Sequence, residues 1–87
     1  MDRSSVDLRT PDIHLDALLK FAGIVSTGGE AKLLIRTGLV RVNGAPEGRR
    51  GHRVQPGDIV EVLDESGAIA AVLEVRGAPE GRSRTSS

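Results

Sequence analysis

The segment "GLVRVNG" (residues 38–44) constrains this chain more tightly than any other stretch. Val40 and Val42 alternate with Arg41, so both valines fall on one face of a strand and the arginine on the other. Asn43-Gly44 then supplies two residues that tolerate positive φ, which a tight hairpin turn demands. The chain must reverse here. A return strand is predicted from Ala45 to about Glu47, and Pro46, which has no N–H to donate, assigns it to a sheet edge.

Upstream of this reversal the apolar period is helical. In "HLDALLKFAGI", Leu15, Leu18, Leu19 and Ala22 stand at i, i+3, i+4 and i+7, predicting a short helix over about 15–22. Asp16 suits the positive end of its dipole, and Gly23 supplies the stop. Phe21, the only aromatic residue, follows Leu18 and Leu19 in an apolar run and is assigned to the core. The next segment, "STGGEAKLLIRTG", predicts a second helix. Thr27 and Glu30 have capping-box spacing, with Ser26 as a competing cap that the residues do not eliminate. Ala31, Leu34 and Ile35 form its inner face, Gly38 ends it, and Lys32 and Arg36, four apart, share a face directed away from Leu34. Gly28 and Gly29 are read as loop.

Downstream, "GRRGHR" (48–53) is a basic loop, and "VQPGDIVEVL" is a Pro-Gly-Asp turn leading into a strand. "DESG" turns the chain again, and "AIAAVLEV" pairs as the last strand. Residues 1–12 are polar without sustained periodicity and are read as a flexible arm. Residues 13–75 form the domain, and 76–87, "RGAPEGRSRTSS", form a disordered tail. "GAPEGR" occurs at 44–49 and again at 77–82, but neither copy carries an apolar face, so this is not a repeat architecture.

Charge is balanced overall, with twelve Lys and Arg against twelve Asp and Glu, but it is segregated. Between residues 32 and 53, Lys32, Arg36, Arg41, Arg49, Arg50 and Arg53 face the single acid Glu47. Residues 54–76 hold Asp58, Glu61, Asp64, Glu65 and Glu74 against Arg76 alone. Such poles create a local field that the net charge hides. With a single aromatic, base stacking is a poor mode of nucleic-acid recognition for this chain, leaving phosphates, groove shape and hydrogen bonds. The absence of cysteine excludes disulfides and thiolate metal sites. His14 and His52 are isolated and no carboxylate pair forms a convincing constellation, so neither an enzyme nor a bound cofactor or metal is expected. No apolar run reaches the length of a bilayer span, and a soluble cytoplasmic protein with no membrane partner and no small-molecule substrate is expected.

The ordered set "LDALLKFAGI", "AKLLIRTGLVRVNG" and "VQPGDIVEV" resembles the S4 RNA-binding domain family over about residues 13–63. "STGGEAK" is similar to the corresponding run in small stand-alone bacterial S4 proteins of the YbcJ type. The resemblance implies an α+β fold, two short helices packed on a small, bent antiparallel sheet (the alpha-L motif). It also implies an RNA surface built from the second helix and the loop between strands. Carried onto this chain, that surface comprises Lys32, Arg36, Arg41, Asn43, Arg49, Arg50 and Arg53. Many family members place an Arg directly after the serine equivalent to Ser26; here Thr27, Gly28 and Gly29 fill that region, and backbone N–H groups at the helix start are the available replacement.

The expected ligand is a structured RNA, ribosomal or transfer RNA, with the ribosome as the larger partner. Guanidinium groups bond two phosphate oxygens at once. About four neutralised phosphates would give a log–log salt slope of roughly −3 to −4, or about 100-fold weaker binding between roughly 50 and 200 mM salt. The competing expectation is a protein-interaction adaptor that docks through the acidic segment 58–74 without touching RNA. The favoured role for Glu61 and Glu74 is simply the solvent side of two paired strands.

Overall fold

A computed structural model describes residues 2–77. Two helices, α1 (Leu15–Phe21) and α2 (Gly28–Arg36), lie between strands at the two ends of the chain. The strands are β1 (Asp2–Leu8), β2 (Ile13–His14), β3 (Val40–Val42), β4 (Ala45–Pro46), β5 (Arg53–Val54), β6 (Ile59–Leu63) and β7 (Ile69–Gly77). Five of them form one sheet in the order β1-β7-β6-β3-β4, and β2 pairs with β5 in a separate antiparallel ribbon. The α+β architecture is as expected, with β4 on the sheet edge. No helix among the described residues is long and apolar enough to cross a membrane.

One face of the sheet and the helices enclose the core. Val40, Val42, Val60, Val62, Leu73 and Val75 from the strands meet Leu15, Leu18, Leu19, Ala31 and Ile35 from the helices. Leu15, Leu18, Leu19, Val40, Val54 and Val60 are fully buried, so truncating Leu15 or Leu18 to Ala should cost about 2–5 kcal/mol. Arg41 alternates to the opposite face, in register with Glu61 on β6 and Pro46 on β4.

The local signals are realised in detail. Asn43 (φ 53°) and Gly44 (φ 85°) form the two positive-φ positions of the β3–β4 turn. The Asn43 amide also clasps the turn to β6, donating to Asp58 Oδ1 (3.0 Å) and accepting the Ile59 N–H (2.9 Å). At α2, Thr27 is the cap: its Oγ1 accepts the Glu30 N–H at 3.2 Å, while the Glu30 carboxylate accepts the Ser26 N–H at 2.8 Å. Gly28 and Gly29, read as loop, form the first turn of this helix. Gly38 follows with φ 80°.

Three expectations are corrected. The segment 1–12 is not a loose arm, because Asp2–Leu8 is a strand lying parallel to β7 from Asp2↔Ala71 to Leu8↔Gly77. The sheet is therefore mixed rather than antiparallel throughout. Only Val6 and Leu8 of β1 are apolar and buried, too few to produce a periodic signal; the strand is held by its ladder and by the Arg3–Glu74 ion pair. The last strand likewise runs on through Arg76 and Gly77, which composition assigns to the tail. Residues 78–87, with the rest of the second GAPEGR copy, lie outside the described residues. Finally, Phe21 is not in the core: it is 66% exposed. Leu15, Leu18 and Leu19 fill the inner arc of α1, and at about 100° per residue Phe21 falls outside that arc despite following them in sequence.

Candidate nucleic-acid interface

The basic loop 48–53 is built onto the start of α1. His14, the residue at the N-cap, offers no side-chain cap, and loop carbonyls do the work instead. His52 O accepts the Leu15 N–H at 2.9 Å and Arg50 O accepts the Asp16 N–H at 3.1 Å. Two of the donors that every helix start leaves free are thus satisfied by the loop, which fixes its backbone against the helix. The short β2–β5 pairing holds its far end, with His14 opposite Arg53.

Glu47, the lone acid of the positive segment, organises the near end. Its backbone N–H bonds Val40 O at 3.0 Å. One carboxylate oxygen accepts both the Arg49 N–H and the Arg49 Nε, each at 3.1 Å, and the other lies 3.2 Å from His52 Nδ1. The hydrogen bond from the Arg49 side chain is the main reason this carboxyl titrates below its ordinary value. The His52 ring is partly buried against Glu47.

The predicted site residues divide into groups. Lys32 and Arg36 are exposed on α2, and among the described residues neither takes part in an ion pair. Arg50 is likewise exposed, without an ionic partner among the described residues, its carbonyl anchored to α1. Arg49 is bonded to Glu47, and Arg53 lies 3.5 Å from Asp12; both guanidinium groups remain mostly exposed. Arg36 ends α2 four residues before Val40, whose carbonyl accepts the Glu47 N–H at the start of the loop. Arg41 stands apart. It is half-buried on the sheet face turned away from the helices, so the structure does not join it to Lys32 and Arg36. Asn43 has its side chain committed to Asp58 and Ile59, a structural task.

The organising acids Glu47 and Asp12 escaped the sequence reading. The signal for Glu47 was present, since one carboxylate among six cations is well placed to pair with its neighbours. The exposure of Phe21 also escaped it, and that side chain borders Lys20 and Gly28 on one side and Arg9 on another. Most acids of the segment 58–74 are already committed, Glu65 excepted. Asp58 holds the Asn43 turn, Asp64 accepts the Ser66 and Ala68 amides, and Glu74 pairs with Arg3 and Arg76. Glu61 is half-buried opposite Val72, on the outward side of the paired strands.

The model of the S4 domain family matches residues 6–70. The chain belongs to the S4 domain family. That match starts in β1 at Val6 and reaches β7, so it covers both helices and the whole basic loop. An S4 relative of similar size, the probable ribosome maturation protein RlbA of Bacillus subtilis (strain 168), is 37% identical over 57 residues, covering 66% of this chain and 80% of the relative. The small ribosomal subunit protein uS4 of Hyphomonas neptunium (strain ATCC 15444) is 41% identical over 67 residues, 77% of this chain but 33% of uS4. The uS4 of Maricaulis maris (strain MCS10) gives 35% over the same length. This S4 chain therefore spans about a third of the uS4 proteins it matches and most of RlbA.

Proposed function

We propose that this S4 chain binds structured ribosomal RNA, gripping phosphates with Lys32 and Arg36 of α2 and with Arg50, Arg49 and Arg53 of the loop, and that it acts in ribosome maturation in the cytoplasm without catalysing a reaction. The observation that supports the reading is that Lys32 and Arg36 on α2 have no ion-pair partner among the described residues, together with a basic loop whose backbone is fixed by α1. A loop already ordered by the Leu15 and Asp16 amides presents its guanidinium groups with less entropy left to lose on binding. The resemblance of the chain to RlbA and uS4, whose names place them in ribosome maturation and in the small subunit, supports ribosomal over transfer RNA.

Phosphate contacts fix register and orientation but carry little sequence information, so selectivity for shape is expected. Arg41 contributes least because it faces the other side of the sheet, and Asn43 contributes by holding the turn. The test is competition binding of the full chain to a folded small-subunit ribosomal RNA fragment, with transfer RNA and duplex DNA as competitors. Preference for the ribosomal fragment supports the reading. Equal displacement by duplex DNA would reduce it to nonspecific polyanion binding, and no binding in dilute buffer would remove it.

A further inference from the structure

Helix α2 has two different flanks. Ala31 and Ile35 point into the core; at about 100° per residue Lys32 falls to one side of that line and Glu30 and Thr37 to the other, while Leu33 stands at the outward apex between Arg36 and Thr37. Leu33 is 62% exposed, one of only three large apolar residues left in solvent among those described. It is not isolated. Ile24 and Val25 from the α1–α2 connection, Leu34, and Leu39 before β3 line a shallow groove with it. Its rim carries Glu30 and Glu65, and no lysine or arginine lines it. Glu65, at the β6–β7 turn, is exposed and has no ionic partner among the described residues.

An apolar floor with an acidic rim selects its occupant. A nucleic acid would bring phosphates against two carboxylates. A symmetric second copy would bring the same acids against each other, since a two-fold contact uses one patch twice. Residues 78–87 contain no Leu, Ile, Val, Met or aromatic residue with which to fill the groove. We infer that this groove docks an amphipathic segment of another protein, an aliphatic stripe bordered by lysine or arginine. Such a helix-in-groove arrangement buries the stripe on Leu33 and sets its cations beside Glu30 and Glu65. Neither Lys32 nor Arg36 lines the groove, so removing those cations leaves its floor intact and either site can fail without the other.

The probe is a designed helical peptide with a leucine stripe bordered by lysines, and a second peptide with those lysines replaced by glutamate. Both are titrated into the full chain while backbone amide shifts are followed. The lysine peptide should give saturable shifts at Ile24, Leu33 and Leu39 that exceed those at Lys32. Burying one leucine side chain is large enough that Leu33→Ser should weaken binding about 10-fold or more. Glu65→Lys should weaken it by a smaller factor and make the glutamate peptide the better ligand. Leu33 is exposed, so the serine variant should keep its unfolding temperature. No saturation by about 1 mM, equal binding of the two peptides, or shifts confined to Lys32 and Arg36 would overturn the inference. So would concentration-dependent self-association that Leu33→Ser abolishes, since a second copy would then be the occupant.

Discussion

The cations of α2 and those of the loop 48–53 look alike in sequence and differ in the fold. Lys32 and Arg36 stand in solvent without acid partners among the described residues, on a helix held by its own core face. In the loop, Arg49 is bonded to Glu47 and Arg53 lies beside Asp12, leaving Arg50 as the loop's cation without an ion pair. Formal charge is the same in both regions; free charge is not. A guanidinium that already satisfies a carboxylate must share its donors or give that partner up to meet a phosphate, so its net gain on binding is smaller. The difference also separates two tasks, because the loop's acids order the backbone that α1 depends on, whereas the helix cations bond no acid among the described residues.

The difference breaks first if the helix cations are reversed. Lys32→Glu with Arg36→Glu should lower affinity for a folded ribosomal RNA roughly 100-fold at low salt and flatten the log–log salt slope by about 2. Unfolding free energy should fall by only about 1 kcal/mol, since both side chains are exposed and Arg36→Glu merely opposes the dipole at the end of α2. Next in size, Arg50→Ala should flatten the slope by about 1. Arg49→Ala should do less than Arg50→Ala, and Arg41→Ala least of all, when the same titration is repeated. An Arg49 effect as large as that of Lys32 and Arg36 together would erase the difference between the two regions.

Glu47→Gln sharpens it from the other side. Weakening the acid frees the Arg49 guanidinium, so RNA affinity measured at low salt should rise a few-fold, as electrostatic attraction strengthens. The same change should reduce stability, because the carboxylate is bonded to the loop. The pH dependence gives the smallest effect. Glu47 titrates below its ordinary value because of the Arg49 hydrogen bond, and Glu74 does so through Arg76 and Arg3. A depressed folded-state pKa contributes stability above the unfolded value, and that contribution is lost as pH falls through the folded value. Unfolding temperature should therefore drop as the pH is lowered below about 4, and Glu47→Gln should make that drop shallower.

Legibility in the sequence followed the range of the forces involved. The hairpin, both helices and the Thr27 capping geometry were readable because each depends on residues a few positions apart. Thr27 over Ser26 was settled only by the structure, in which Glu30 reaches past the cap to the Ser26 amide. What escaped is non-local. β1 exists because β7, some seventy residues later, offers it a parallel ladder, and β2 exists because Val54 lies opposite Ile13. The candidate site was half legible: residue types marked the cations, but which of them stay free depends on Glu47 and Asp12 reaching particular partners. Arg41 was assigned to a common face although its own alternation with Val40 and Val42 already placed it on the other side of the strand. Phe21 shows the same lesson, since adjacency to leucines in sequence is not adjacency on a helix.

The most direct measurement is the affinity of the unmodified chain for a folded small-subunit ribosomal RNA fragment across about 50 to 200 mM salt, repeated with Lys32 and Arg36 both changed to Ala. A cationic surface that releases counterions from about four phosphates gives a slope of roughly −3 to −4, and the double alanine chain should lose close to half of it. A slope near zero, or one that the double substitution leaves unchanged, would show that these side chains do not meet the RNA.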